Sequence, residues 1–87
     1  MTTNEYLYSS LGEEALEIAH MICKINRFGP HEVCPVESVN PQNITNLFRL
    51  VEELNDFLAL IEILERHGLL PNEGRDPSAI KAKKKKV

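Results

Sequence analysis

Between Thr3 and Phe28 the apolar residues recur at helical spacing. At about 100° per residue, Leu7, Leu11, Ala15, Ile18, Ile22 and Ile25 form one stripe, flanked by Met21 and Phe28. Thr2 or Thr3 can cap the start, Glu5 sits early in the first turn, and no strong breaker follows until Gly29-Pro30. The pattern predicts a first helix over about residues 3–28. Its weakest part is Ser9-Ser10 with Gly12, where the glycine costs roughly 1 kcal/mol relative to alanine and a break is conceivable. One residue contradicts the stripe: Glu14 falls inside it. Glu17 falls on its edge, and Glu13 points well away.

Residues 29–43 hold three prolines and keep neither a helical nor a strand period, so they read as a loop. Pro41, with Asn40 or Asn43, offers a start for a second helix running to about His67, with Gly68 as a left-handed stop. This helix is apolar on too much of its circumference for one partner. Ile44, Leu47, Val51, Leu54, Leu58 and Ile61 make one face, while Phe57, Leu60, Ile63 and Leu64 extend around the side. Glu53 and Asp56 lie in angle among that second group. The expected fold is therefore all-α, with two long antiparallel helices per chain assembling into an oligomeric helical bundle as a homodimer or homotetramer. Residues 1–70 form the helical domain, and 71–87, with Gly74, Pro77 and a lysine run, read as a disordered tail. Because the acids share a helix with surplus apolar surface, the site they build and the contact between chains are expected to adjoin.

Size and composition sharpen this picture. A chain of 87 residues buries a marginal core alone, and assembly is the staple at hand. Apolar residues make up 43%, which speaks against wholesale disorder. No apolar run approaches the roughly 18 residues of a membrane span, so an integral membrane protein is excluded. Cys23 and Cys34 allow at most one disulfide, and nothing reads as a secretory leader, so a reducing cytoplasm is the simpler expectation. The formal charge of −3 hides an asymmetry. Five of the ten basic residues are Lys81 and Lys83 to Lys86, leaving five bases against 13 acids in the rest, a net of −8. Such an acidic body is a poor duplex-DNA binder and a reasonable cation binder. The lysine run has no interleaved aromatic to stack on bases, so nucleic acid is not the expected partner.

The chemistry-bearing pattern is Glu14-x-x-Glu17 on the first helix and Glu53-x-x-Asp56 on the second. Acids three apart on a helix share a side, with Cβ atoms about 5–6 Å apart, and four such oxygen donors suit hard divalent cations. Either pair alone is common on solvated helices. Position argues otherwise here, because Glu14 interrupts an apolar stripe and the second pair sits on the strongly apolar helix, where an unpaired carboxylate is costly.

The order Glu13-Glu14-x-x-Glu17, a loop, then Glu53-x-x-Asp56 resembles the EExxE…ExxD signature of the MazG-like all-α nucleoside triphosphate pyrophosphatases. The phrases at 11–19, 24–29 and 50–56 are similar to short MazG-like proteins often carried by phages, and the resemblance spans about residues 5–68. It implies hydrolysis of a nucleoside or deoxynucleoside triphosphate to the monophosphate and pyrophosphate, in the host cytoplasm for a phage-encoded member. It implies that Glu14, Glu17, Glu53 and Asp56 hold Mg²⁺, or Mn²⁺, and act catalytically, with Glu13 or one of the four orienting the water. The chain departs from larger members in its long gap between Glu17 and Glu53 and in how little follows the second helix, where those members supply nucleotide-contacting residues. A non-catalytic helical interaction module, inhibiting or tethering a host protein on the same frame, is the alternative.

Three residues are candidate substrate ligands. Lys24 lies almost in line with Glu17 two turns on and suits a phosphate, Arg27 is rotated further away, and Asn55 beside Asp56 suits a sugar or base. His20-x-x-Cys23 and His31-x-x-Cys34 admit a zinc reading, weaker than paired CxxC motifs because the first pair is expected on the outer face of its helix.

Overall fold

The computed structural model describes residues 1–71 and 75–87. Three helices follow in order: α1 (Thr3–Phe28), α2 (Asn46–Arg66) and α3 (Pro77–Lys86). Among the described residues none of them is long and apolar enough to cross a membrane.

Helix α1 has the predicted bounds and no break. Thr2 caps it reciprocally with Glu5: the Thr2 hydroxyl accepts from the Glu5 N–H at 3.1 Å, and Glu5 Oε1 accepts from the Thr2 N–H at 3.4 Å. The helix runs unbroken through the weak segment, where the Ser10 hydroxyl bonds back to the Tyr6 carbonyl one turn earlier, at 2.9 Å, and so spends its polarity within the helix. Gly29, at φ 95°, ends the helix while its N–H still donates to the Ile25 carbonyl.

Helix α2 starts at Asn46, not at Pro41 as the sequence suggested, and the loop explains the difference. Asn40 is buried and clips the loop to itself. Its Nδ2 donates to the carbonyls of Cys34 and Ile44, and its Oδ1 accepts from the Ile44 N–H. Asn43 then takes a left-handed φ of 57°, which no helix continues through. Thr45 becomes the cap, its hydroxyl accepting from the Phe48 N–H at 3.1 Å. At the far end Gly68, at φ 71°, supplies the expected left-handed stop. An isolated antiparallel bridge joins Val33 to Thr45, and Asn46 ties the loop to the end of α1 by donating through Nδ2 to the Gly29 carbonyl.

The two long helices pack antiparallel, and the Tyr8 hydroxyl near the start of α1 donates to the Leu69 carbonyl just beyond α2. Their seam buries Leu7, Met21 and Leu64, with Leu11, Ile18, Ile25, Leu50, Phe57, Leu60 and Ile61 partly enclosed. Leu64 is fully buried, worth about 1.5–3 kcal/mol over leaving it exposed. In its thinnest direction the chain measures 16 Å, little more than the roughly 10–12 Å diameter of one helix. It is a single layer with two broad sides. The more regular apolar face of α2 is not the one that meets α1: Leu47, Val51, Leu54 and Leu58 stay open to solvent, as does Ile22 of α1.

Helix α3 lies within the stretch read as a disordered tail. Asp76 caps it through Oδ1, Pro77 occupies the first turn where its missing N–H is not needed, and the lysines are good helix formers. None of its residues is buried. Residues 72–74, which the same expectation covered, lie outside the described residues.

Candidate metal centre

Antiparallel packing sets the middle of α1 against the middle of α2, and the acids meet there. One carboxylate oxygen from each of Glu14, Glu53 and Asp56 lies within 4.8 Å of the others. Glu14 and Glu53 are half-buried in the seam and Asp56 is exposed at its edge. The Oε2 atoms of Glu14 and Glu53 are enclosed without a hydrogen-bond partner. Burial, then contacts with the carboxyls of Glu17 and Glu14, push the Glu53 carboxyl up from its ordinary 4.5 to about 8. Glu14 and Glu53 are thus crowded by other carboxyls, partly desolvated and each left with an unpaired oxygen, conditions that a hard divalent cation would relieve. An all-oxygen set suits Mg²⁺ or Mn²⁺ better than a soft metal.

Glu17, the fourth predicted acid, is exposed and lies beside the trio, against Glu53. It belongs to the wall of a cavity of about 260 Å³ lined by Glu17, His20, Met21, Lys24, Val39, Arg49 and Glu53. A second cavity of similar size opens on the loop side, lined by Val39, Asn40, Pro41, Gln42, Ile44, Arg49, Glu52, Glu53 and Asp56. Glu53, Arg49 and Val39 divide the two. Lys24 therefore stands near the acids, as its phase with Glu17 suggested. Arg27 does not join them. It is exposed, with its guanidinium carbon 5.3 Å from the centre of the Phe28 ring. Asn55 is exposed and lines neither cavity. Glu13 is exposed as well.

The histidines and cysteines are not gathered. His20 faces the acid-side cavity instead of the outer face expected for it, while Cys23 and Cys34 are free thiols. The metal-capable grouping found among the described residues is the carboxylate one.

Sequence reasoning overlooked Arg49 and the loop around Val39 and Asn40. Arg49 had a usable signal, since it precedes Glu53 by one turn and must share its side of α2. The loop had none, because its path depends on the Asn40 clip. No family model, no curated protein and no solved structure matches this chain.

Proposed function

We propose that this chain is a divalent-metal-dependent nucleoside triphosphate pyrophosphohydrolase that works as a homo-oligomer. The observation carrying this reading is the convergence of Glu14, Glu53 and Asp56 from two helices, with enclosed, unpartnered oxygens on two of them. In this reading the trio holds Mg²⁺ or Mn²⁺, and Glu17 supports Glu53 from the side. The bound metal would screen the phosphate charge and make a water more acidic. Glu17, next to the trio but outside it, takes the proton of the attacking water, and Lys24 steadies the phosphates from the adjoining cavity wall. Cleavage falls between the α- and β-phosphoryl groups, leaving monophosphate and pyrophosphate. The order of acids, which resembles the MazG-like signature, favours this over other metal chemistry.

The test is pyrophosphate release from a panel of ribo- and deoxynucleoside triphosphates, modified nucleotides and alarmones, with Mg²⁺. Release from at least one is expected, and Glu53→Gln or Asp56→Asn should abolish it without changing the assembly state. Silence across the whole panel would sink the proposal.

Assembly is supported by the open face of Leu47, Val51, Leu54 and Leu58. By helical phase this face lies on the opposite side of the layer from Arg49 and Asp56, so in this reading a contact between chains through it would leave the acids on the other side. Sedimentation should show more than one chain per particle, and Leu54→Lys should dissociate it while Mn²⁺ still binds. The same open face favours a second reading, a non-catalytic helical module that grips another protein. Binding of a defined partner that survives both acid substitutions and fails with Leu54→Lys, together with absent hydrolysis, would select it.

A further inference from the structure

Arg49 is a half-buried charged residue of the site region that a metal does not explain. It stands on α2, one turn before Glu53, and its Nη1 is enclosed without a hydrogen-bond partner. It also lies in the walls of both cavities beside the acid trio, sharing one with Lys24 and the other with Asp56. A desolvated guanidinium nitrogen without an acceptor is costly, so its presence calls for an acceptor that arrives from outside. Nor does a pure cation site gain from it, because a fixed positive charge beside a metal ion weakens the ion's binding. The arrangement makes sense when an anion spans both. Oxygens at one end meet the metal, and oxygens at the other meet the planar fork of donors that guanidinium offers to phosphate.

Resting on the pyrophosphohydrolase reading, we infer that Arg49 is a direct phosphate ligand, gripping the polyphosphate chain of the substrate together with Lys24 on the side of Glu53 away from Glu14. The competing role is structural: Arg49 neutralises the carboxylates around it and holds Glu53 in place. The two roles predict opposite behaviour of the metal. A phosphate ligand can be removed without harm to metal binding, and metal affinity should even rise. A structural counter-ion cannot.

The test uses calorimetry on the full-length chain with two probes, Mn²⁺ alone and inorganic pyrophosphate in the presence of Mg²⁺, for the wild type, Arg49→Met and Arg49→Lys. Arg49→Met should bind Mn²⁺ at least as tightly as the wild type and lose about ten- to a hundred-fold in pyrophosphate affinity, with Arg49→Lys in between. Because lysine keeps the charge and a similar stem, its variant preserves the test should the methionine variant fold poorly. Equal loss of Mn²⁺ and pyrophosphate affinity would make Arg49 a support for the acids and overturn the inference. Unchanged pyrophosphate affinity in both variants would overturn it too, with the parent reading left standing. A wild type that binds Mn²⁺ but no pyrophosphate would remove both.

Discussion

Glu53→Gln tests the proposed metal centre without reference to any substrate, because it should move stability in opposite directions with and without metal. In metal-free protein, burial and the neighbouring Glu17 and Glu14 raise the Glu53 carboxyl from 4.5 to about 8. The folded state then keeps a proton that the unfolded chain releases. Its stabilisation is complete below about pH 4.5 and is lost as pH rises through about 8. The interval corresponds to roughly 5 kcal/mol at most. Glu53 is only half enclosed and its neighbours Glu17 and Asp56 are exposed, so water relaxes much of that penalty and leaves about 2–3 kcal/mol. Glutamine fills nearly the same volume and is neutral at every pH. In EDTA the variant should match the wild type near pH 5 and exceed it near pH 9 by that amount, on the order of 10 °C in Tm for a domain of this size. Excess Mn²⁺ should reverse the order. At about a thousand times its Kd the wild type gains about 4.1 kcal/mol, more than the variant's advantage near pH 9, and the variant, lacking a charged ligand, gains little. Thermal unfolding followed by far-ultraviolet circular dichroism at fixed chain concentration reads all four conditions. Coincident EDTA curves near pH 9, or equal stabilisation of both proteins by Mn²⁺, would refute the account of Glu53.

Asn40→Ala removes three hydrogen bonds from a buried loop clip and should cost about 2–3 kcal/mol in urea unfolding. On the proposed function it should also lower pyrophosphate release, because Val39 and Asn40 wall the cavity beside the acids on the loop side. Leu64→Ala, at the most enclosed apolar side chain, should cost about 2–5 kcal/mol by the same measurement. Truncation before residue 77 deletes α3, none of whose residues is buried, so Tm should stay within about 2 °C and, on the proposed function, pyrophosphate release should not change. A large drop in either would make the lysine helix part of the working domain.

The parts of this architecture that depend on local chemistry were open to sequence reasoning. Helix α1 needs only its apolar period, the Thr2 and Glu5 pair and Gly29, and all three are local. The anomaly of Glu14 inside an apolar stripe was equally visible, and its position in the seam follows from it directly. The start of α2 was not legible, because Pro41 is a good first-turn residue that a side-chain clip within the loop overrides: Asn40 reaches back to Cys34 and forward to Ile44. The lysine tail misled for a different reason. Composition argued for solvation, and α3 is solvated, yet a proper cap and good helix formers suffice to build a helix that buries nothing. Arg27 and Lys24 show the limit of phase alone. Both are cations on α1 three residues apart, but only the one aligned with Glu17 reaches the acids.

The faces of α2 carry the larger lesson. Its apolar circumference implies more than one neighbour, and the natural expectation was that metal site and chain contact would adjoin. Pairing with α1 instead uses the side holding Glu53, Phe57, Leu60 and Leu64, and this choice separates what remains. To one side of the seam lie Arg49, Asp56, Glu17 and Lys24, around cavities open to a small charged ligand. To the other lie Leu47, Val51, Leu54 and Leu58, which offer a ligand no polar atoms but suit another helical layer. A layer 16 Å thick has no interior in which to hide a carboxylate, so Glu14 and Glu53 can be enclosed only within the seam itself. The half-burial that unsettles these acids thus comes from one pair of helices in one chain. On this geometry assembly would add stability to the frame, while the charge problem that a metal would solve is already complete within one chain.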